Sequence, residues 1–147
     1  MANANEYMKE YESIVKKHSP RNKVVSNSIK AFIVGGLICV VGQFLTNIYM
    51  NLGLSVGESA TFTTDSLIAI SVVLTALNVY DNIGKVAGAG ALIPITGFAN
   101  SMASAAMEYK KEGYIYGLGA KLFTIAGPVI VYGTIASVLI GVIYFFI

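Results

Sequence analysis

The chain begins with a polar stretch that carries apolar side chains at helical spacing. Within residues 1–19 these recur along one side, at Tyr7, Tyr11, Ile14 and Val15. This period predicts an amphipathic helix that ends at Ser19-Pro20. Such a helix lies on a membrane surface or docks on a partner, although a solvated, weakly helical tail has the same pattern. We assign residues 1–27 to this helix and its linker, and residues 28–147 to a membrane domain.

Long apolar runs fill the rest of the chain. The clearest is Ala31–Tyr49, an uncharged segment of about 20 residues that is long enough to span the roughly 30 Å hydrocarbon core. A polar loop is predicted for 51–64, followed by a second span at Ser66–Tyr80. The last run, Gly117–Ile147, has the lipid-facing composition of another span.

The segment between these spans has a different composition. Val86–Met107 is uncharged, yet it consists mostly of Gly, Ala, Ser and Thr and has Pro94 and Gly97 near its middle. A broken backbone at membrane depth is tolerated only where protein or a water-filled cavity covers it. We therefore predict an all-α integral membrane protein of about four membrane segments. The third is broken by Pro and Gly and either crosses fully or re-enters.

Composition and charge agree with this class. Of 147 residues 55% are hydrophobic and only 12% are charged, whereas soluble domains average about 25% charged residues. The net charge of +2 gives no reason to expect nucleic acid. Six of the ten basic residues precede the first span: Lys9, Lys16, Lys17, Arg21, Lys23 and Lys30. The positive-inside rule therefore predicts a cytoplasmic N-terminus.

The sequence offers little for catalysis. His18 is the single histidine and sits in the N-terminal tail, and Cys39 has no base near it in the sequence. Gly88-x-Gly90 follows no predicted strand, so it is not a dinucleotide loop. We therefore predict no enzyme activity, no catalytic residue, no metal and no cofactor.

The broken segment supplies the candidate site instead. Its polar and small residues form one group of pathway or anion-relay candidates: Pro94, Thr96, Gly97, Asn100, Ser101 and Ser104. A half-helix N-terminus at membrane depth favours an anion, and transporters build substrate sites in this way. The alternative is a tight small-residue packing interface with a proline kink.

Charged residues and glycines complete the candidate set. Three charges are predicted at the mouths of a path, namely Asp81, Lys85 and Lys121. The alternatives are an interfacial Asp81–Lys85 ion pair and a snorkelling Lys121. Four glycines are predicted to allow close helix packing, namely Gly84, Gly88, Gly90 and Gly127.

Two long motifs resemble a known family. KAFIVGGLICVVGQF (Lys30–Phe44) and AGAGALIPITGFANSM (Ala87–Met102) are similar to the SpoVAC/SpoVAEb family of spore-forming bacteria. The N-terminal EYESIVKKHSP (Glu10–Pro20) resembles the family members that have an N-terminal extension. The resemblance supplies no catalytic residues.

This resemblance implies a subunit of the SpoVA complex in the spore inner membrane, which is the forespore membrane. That complex moves dipicolinic acid, largely as its calcium chelate, during sporulation and germination. The implied role is a channel component with mechanosensitive behaviour, and the alternative is a non-conducting scaffold subunit. Implied partners are the membrane paralogue, the soluble SpoVA proteins and the lipid bilayer, in a homo- or hetero-oligomer.

Overall fold

The computed structural model describes residues 2–18, 23–93 and 95–147, with the side chains of 2–6, 16 and 18 outside the description. Throughout these residues the regular structure is helical. The α-helices are α1 (Ala2–His18), α2 (Val24–Asn51), α3 (Val56–Ala76), α4 (Tyr80–Ala87), α5 (Ala89–Leu92), α6 (Ile95–Tyr109) and α7 (Ala120–Phe146). A 3₁₀ turn (Lys110–Glu112) and a π-helix (Tyr114–Gly119) connect α6 to α7.

The predicted all-α membrane class is confirmed. In the described part of the chain, three helices are long and apolar enough to cross a membrane: Val24–Asn51, Val56–Ala76 and Tyr114–Phe146. The predicted N-terminal helix is also present, and its Tyr7 and Tyr11 side chains are exposed. Helix α6 is shorter, at 15 residues, which corresponds to about 22 Å.

The predicted polar loop at 51–64 is too long, because only residues 52–55 lie between the two helices. Helix α3 already begins at Val56, because Ser55 and Glu58 form a reciprocal capping box. The Ser55 side chain accepts the Glu58 backbone N–H at 3.4 Å, and Glu58 accepts the Ser55 N–H at 2.9 Å. The second span also ends earlier than predicted, at Ala76 rather than at Tyr80.

Polar side chains inside α3 bond to their own helix, which explains the misassignment. Thr61 donates to the Gly57 carbonyl at 3.1 Å, and Thr64 donates to the Ala60 carbonyl at 3.0 Å. Threonine hydroxyls that bond in this way sit in a helix without unpaired groups. A threonine-rich stretch at a membrane boundary therefore does not imply a loop.

Helices α2 and α3 form an antiparallel hairpin that is closed by polar contacts. The hydroxyls of Thr46 and Thr63 share a hydrogen bond of 2.9 Å. One helical turn away, Gly42 is buried and lies beneath the side chain of Leu67. The small glycine and the threonine pair allow close approach of the two helices, as in membrane bundles.

Helix α6 runs back along α3 in the opposite direction. Thr96, in its first turn, is bonded to Ser71 in the C-terminal half of α3. Further along α6, Ala103 and Ala106 line one groove with Ile68, which precedes Ser71 in α3. The chain therefore leaves α6 at the end of the bundle where α3 begins. Helix α6 is not among the three described helices that are long enough to span a membrane, so the choice between crossing and re-entry stays a prediction.

Helix α7 departs from the rest of the molecule after its first turns. Every residue from Pro128 to Ile147 is exposed. A helix that is apolar on all sides is typical of a membrane span. The distal part of α7 is therefore available to lipid or to another subunit.

Candidate functional site at the broken segment

The third apolar segment is broken at two places. Gly88 separates α4 from α5 with φ +53° and ψ −126°, a conformation that glycine adopts far more readily than other residues. The helix breaks again between Leu92 and Ile95, where α5 ends and α6 begins. The predicted break is therefore confirmed, although Pro94 itself lies outside the described residues. The sequence interpretation missed the additional break at Gly88.

Gly90 holds α5 against the backbone of α2. A Cβ built at Gly90 would lie 2.7 Å from the Cα of Ala31 and would overlap the Ala31 carbonyl oxygen. On the neighbouring turn, a Cβ at Gly35 would lie 3.3 Å from the Gly90 carbonyl oxygen. Two backbones therefore touch here with no side chain between them, as small-residue helix contacts allow.

The Tyr80 side chain lies against both breaks of the segment. Its hydroxyl donates to the Ala91 carbonyl at 2.9 Å and lies 2.8 Å from the Thr96 hydroxyl. Both oxygens accept from Tyr80, so its single hydroxyl proton is shared between them. Tyr80 is only 3% exposed and packs with Ala87 and Ala91. One side chain thus joins the last turn of α5 to the first turn of α6.

Helix α3 contributes two further hydroxyls. Ser71 donates to the Thr96 carbonyl at 2.6 Å. Thr75 lies 2.8 Å from the side-chain oxygen of Asn100 and 2.7 Å from the Ser71 carbonyl. All four residues are buried, so their bonds form in an environment without competing water. We call Ser71, Thr75, Tyr80, Thr96 and Asn100 the polar network.

The other pathway candidates lie at or near this network. Gly97 is buried and its Cα faces the Leu92 carbonyl so closely that a Cβ would overlap it. Ser101 and Ser104 donate within α6, to Phe98 and Asn100 respectively, both at 2.8 Å. Their role as pathway or relay residues stays a prediction.

Two of the predicted packing glycines have no close contact among the described residues. A Cβ at Gly84 or Gly127 would meet nothing within 4 Å. Gly88 likewise has open space around it, and its positive φ rather than close packing explains the glycine. Gly90 is the one of the four that the structure places against another helix.

A cavity opens beside the first break, between α2 and the α4–α5 junction. Its volume is about 470 Å³, and its lining is Val24, Asn27, Ser28, Ala31, Lys85, Val86, Ala87, Gly88 and Ala89. Lys85, a predicted mouth charge, donates to the Asn82 side chain at 3.3 Å rather than to Asp81. Asp81 is exposed on the same short helix.

Lys121 lies where α6 meets α7. Its Nζ is 4.4 Å from the centre of the Tyr109 ring, a cation–π distance. Because Tyr109 ends α6, Lys121 sits at the opposite end of the bundle from Lys85. Among the described residues, no three His, Cys, Asp or Glu side chains lie close enough together to hold a metal ion.

Sequence reasoning missed the α3 and α4 members of the network. Ser71 and Thr75 are four residues apart, so they share one face of an apolar helix. That spacing was a usable signal, because polar groups in membrane helices usually turn toward a partner helix. Tyr80 gave no comparable signal, since tyrosine is common at membrane interfaces.

Comparison with known proteins agrees with the two motifs. The family model described as SpoVAC/SpoVAEB sporulation membrane protein matches residues 27–143. The chain belongs to the SpoVAC/SpoVAEB family. It is also 48% identical over 136 residues to stage V sporulation protein AC of Bacillus subtilis (strain 168), covering 92% of this chain and 91% of that relative. The predicted family is thus confirmed, and no solved structure matches this SpoVAC/SpoVAEB chain.

Family membership fixes the general context of the site. This SpoVAC/SpoVAEB chain is a sporulation membrane protein, and its family is not described as an enzyme family. The match begins within α2 and ends within α7, so it includes the polar network, the Gly90 contact and every cavity-lining residue except Val24. These features therefore belong to the family-matched part of the chain rather than to its N-terminal helix.

Proposed function

We propose that this chain is a channel or translocator subunit of the SpoVA complex. Its solute is dipicolinic acid, largely as the calcium chelate, and its location is the spore inner membrane, with the N-terminus in the cytoplasm. The observation that carries the proposal is the cavity of about 470 Å³ beside the Gly88 break, which is lined by Lys85. The sporulation family supplies the biological context.

The chemistry of the cavity suits a small dicarboxylate. Lys85 offers an ammonium group, and Asn27 and Ser28 offer an amide and a hydroxyl. Bonds from an ionised donor to a carboxylate are stronger than those between neutral groups. Small-ligand sites have volumes of about 300–1,000 Å³, and the cavity falls within this range. Lys85 also raises the local concentration of the free dicarboxylate, which is an anion, at the mouth.

A complete path requires more than one chain. The polar network closes the space between α3 and α6, because Thr96 and Asn100 are bonded to Tyr80, Ser71 and Thr75. A solute that passes the cavity reaches the pathway candidates in α6 when these bonds open. Membrane tension that separates α3 from α6 favours this opening, and further copies of the chain or its membrane paralogue complete the walls.

Release from proteoliposomes tests the proposal. Vesicles containing the purified chain are loaded with calcium dipicolinate and a neutral sugar of similar size, and then exposed to an osmotic downshift. We expect dipicolinate release in preference to the sugar, and several-fold slower release with Lys85→Gln. Lys110→Gln, an exposed lysine at the other end of the bundle, is the matched control and retains the wild-type rate. Equal rates for the two variants would contradict a role for the cavity.

A second candidate function is a non-conducting scaffold. The observation that favours it is the polar network itself, whose five side chains bond to one another or to the backbone. A scaffold needs such rigidity and needs no passage. Under this alternative, vesicles containing the chain alone release no solute at any tension, and release appears only when partner membrane subunits are added.

A further inference from the structure

One face of α2 carries amide side chains where lipid is expected. Gln43 and Asn47 are both exposed, although they belong to the apolar segment that begins at Ala31. Gln43 Nε2 donates to Asn47 Oδ1 at 2.9 Å. The Gln43 carbonyl oxygen and the Asn47 amide nitrogen have no partner among the described residues. Lipid tails cannot bond to them, and unbonded amides in hydrocarbon are unfavourable.

The same face has room for a close neighbour. Gly36 precedes Gln43 by two helical turns, and the three residues lie within about 40° of one another around the helix axis. A Cβ built at Gly36 meets nothing within 4 Å. The packed side of α2, marked by Gly42 against Leu67, points away from this face. We call Gly36, Val40, Gln43 and Asn47 the amide face.

We propose that the amide face of α2 binds the same face of a second copy of this chain. Each amide carries both a donor and an acceptor. The free acceptor of one copy therefore matches the free donor of the other, and the two-fold relation makes each bond occur twice. Two copies inserted with the same orientation present α2 in parallel, so the amides meet at the same depth. We choose a second copy as the partner because it necessarily carries the same free donor and acceptor on the same face.

Disulfide cross-linking of the full chain in bilayers tests the geometry. In a Cys39→Ser background, Val40→Cys lies on the amide face and Val41→Cys lies about 100° away. Both valines are exposed, at 64% and 47%, so they form a matched pair. We expect mild oxidation to give a dimer with Val40→Cys several-fold more efficiently than with Val41→Cys. Equal cross-linking, no cross-linking, or capture of a different membrane protein at Val40→Cys would overturn the proposal.

Removal of the amides tests the energetics. The double variant Gln43→Leu with Asn47→Leu loses two symmetry-related bonds, each worth about threefold in association. We expect about a tenfold weaker dimer from energy transfer between labelled copies diluted in lipid. Thr134→Leu with Ser137→Leu, two exposed polar positions on α7, is the control and leaves association unchanged. An unchanged dimer in the amide variant would refute the proposal. No solute is present, so the result is independent of the transport proposal.

Discussion

Replacing Gly90 with alanine tests the central contact between α2 and the broken segment. The new Cβ would lie 2.7 Å from both the carbonyl carbon and the Cα of Ala31. These are backbone atoms, so no side-chain rotation can relieve the overlap, and the two helices must separate. Overpacking of this kind costs about 1–3 kcal/mol.

Gly84→Ala is the matched control, because its Cβ meets nothing within 4 Å. Both substitutions gain up to about 1 kcal/mol in helix propensity, so this gain cancels in the difference between them. We expect Gly90→Ala to be less stable than Gly84→Ala by about 1–3 kcal/mol. Unfolding of the full chain in mixed micelles by increasing denaturing detergent gives this difference directly.

A double variant separates a backbone clash from a side-chain clash. Adding Ala31→Gly to Gly90→Ala removes the Ala31 side chain and leaves its backbone in place. We expect no recovery of stability. Recovery, or equal stability of Gly90→Ala and Gly84→Ala, would refute the direct backbone contact between α2 and α5.

The remaining stability predictions concern single hydrogen bonds. Tyr80→Phe leaves the buried Ala91 carbonyl and Thr96 hydroxyl without their partner, and we expect a loss of about 1–3 kcal/mol. In the same unfolding assay Tyr116→Phe, at a 90% exposed position, stays within about 0.5 kcal/mol of the wild type; equal effects would contradict the role of Tyr80. Ser55→Ala removes the cap of α3 and should cost about 1 kcal/mol, and no loss would show that the capping box is not stabilising.

The fold class was predictable because it depends on hydrophobicity and charge averaged over long segments of the chain. Apolar length identified Ala31–Tyr49 as part of α2, and low charge identified the membrane class. The start of α3 was mispredicted because it depends on one local interaction, the Ser55–Glu58 capping box. Threonines that bond within their own helix add no exposed polar group, yet they lower the apparent hydrophobicity of a segment.

The candidate site was predicted only in part. Thr96 and Asn100 were identified from composition, and the structure places both in one buried network. Their partners Ser71 and Tyr80 lie on other helices, and only tertiary packing brings them together. The Gly88 break depends on a backbone conformation rather than on a motif, so hydrophobic periodicity gives no sign of it.

Thiol protection at the cavity tests the proposed role of the broken segment most directly. In a Cys39→Ser background, Ser28→Cys lies in the cavity lining and Asp81→Cys lies outside it on the neighbouring helix. A membrane-impermeant thiol reagent is applied to the full chain in vesicles with and without calcium dipicolinate. We expect the solute to slow the reaction at Ser28→Cys several-fold and to leave the reaction at Asp81→Cys unchanged. Equal reaction rates at Ser28→Cys with and without the solute would contradict this role.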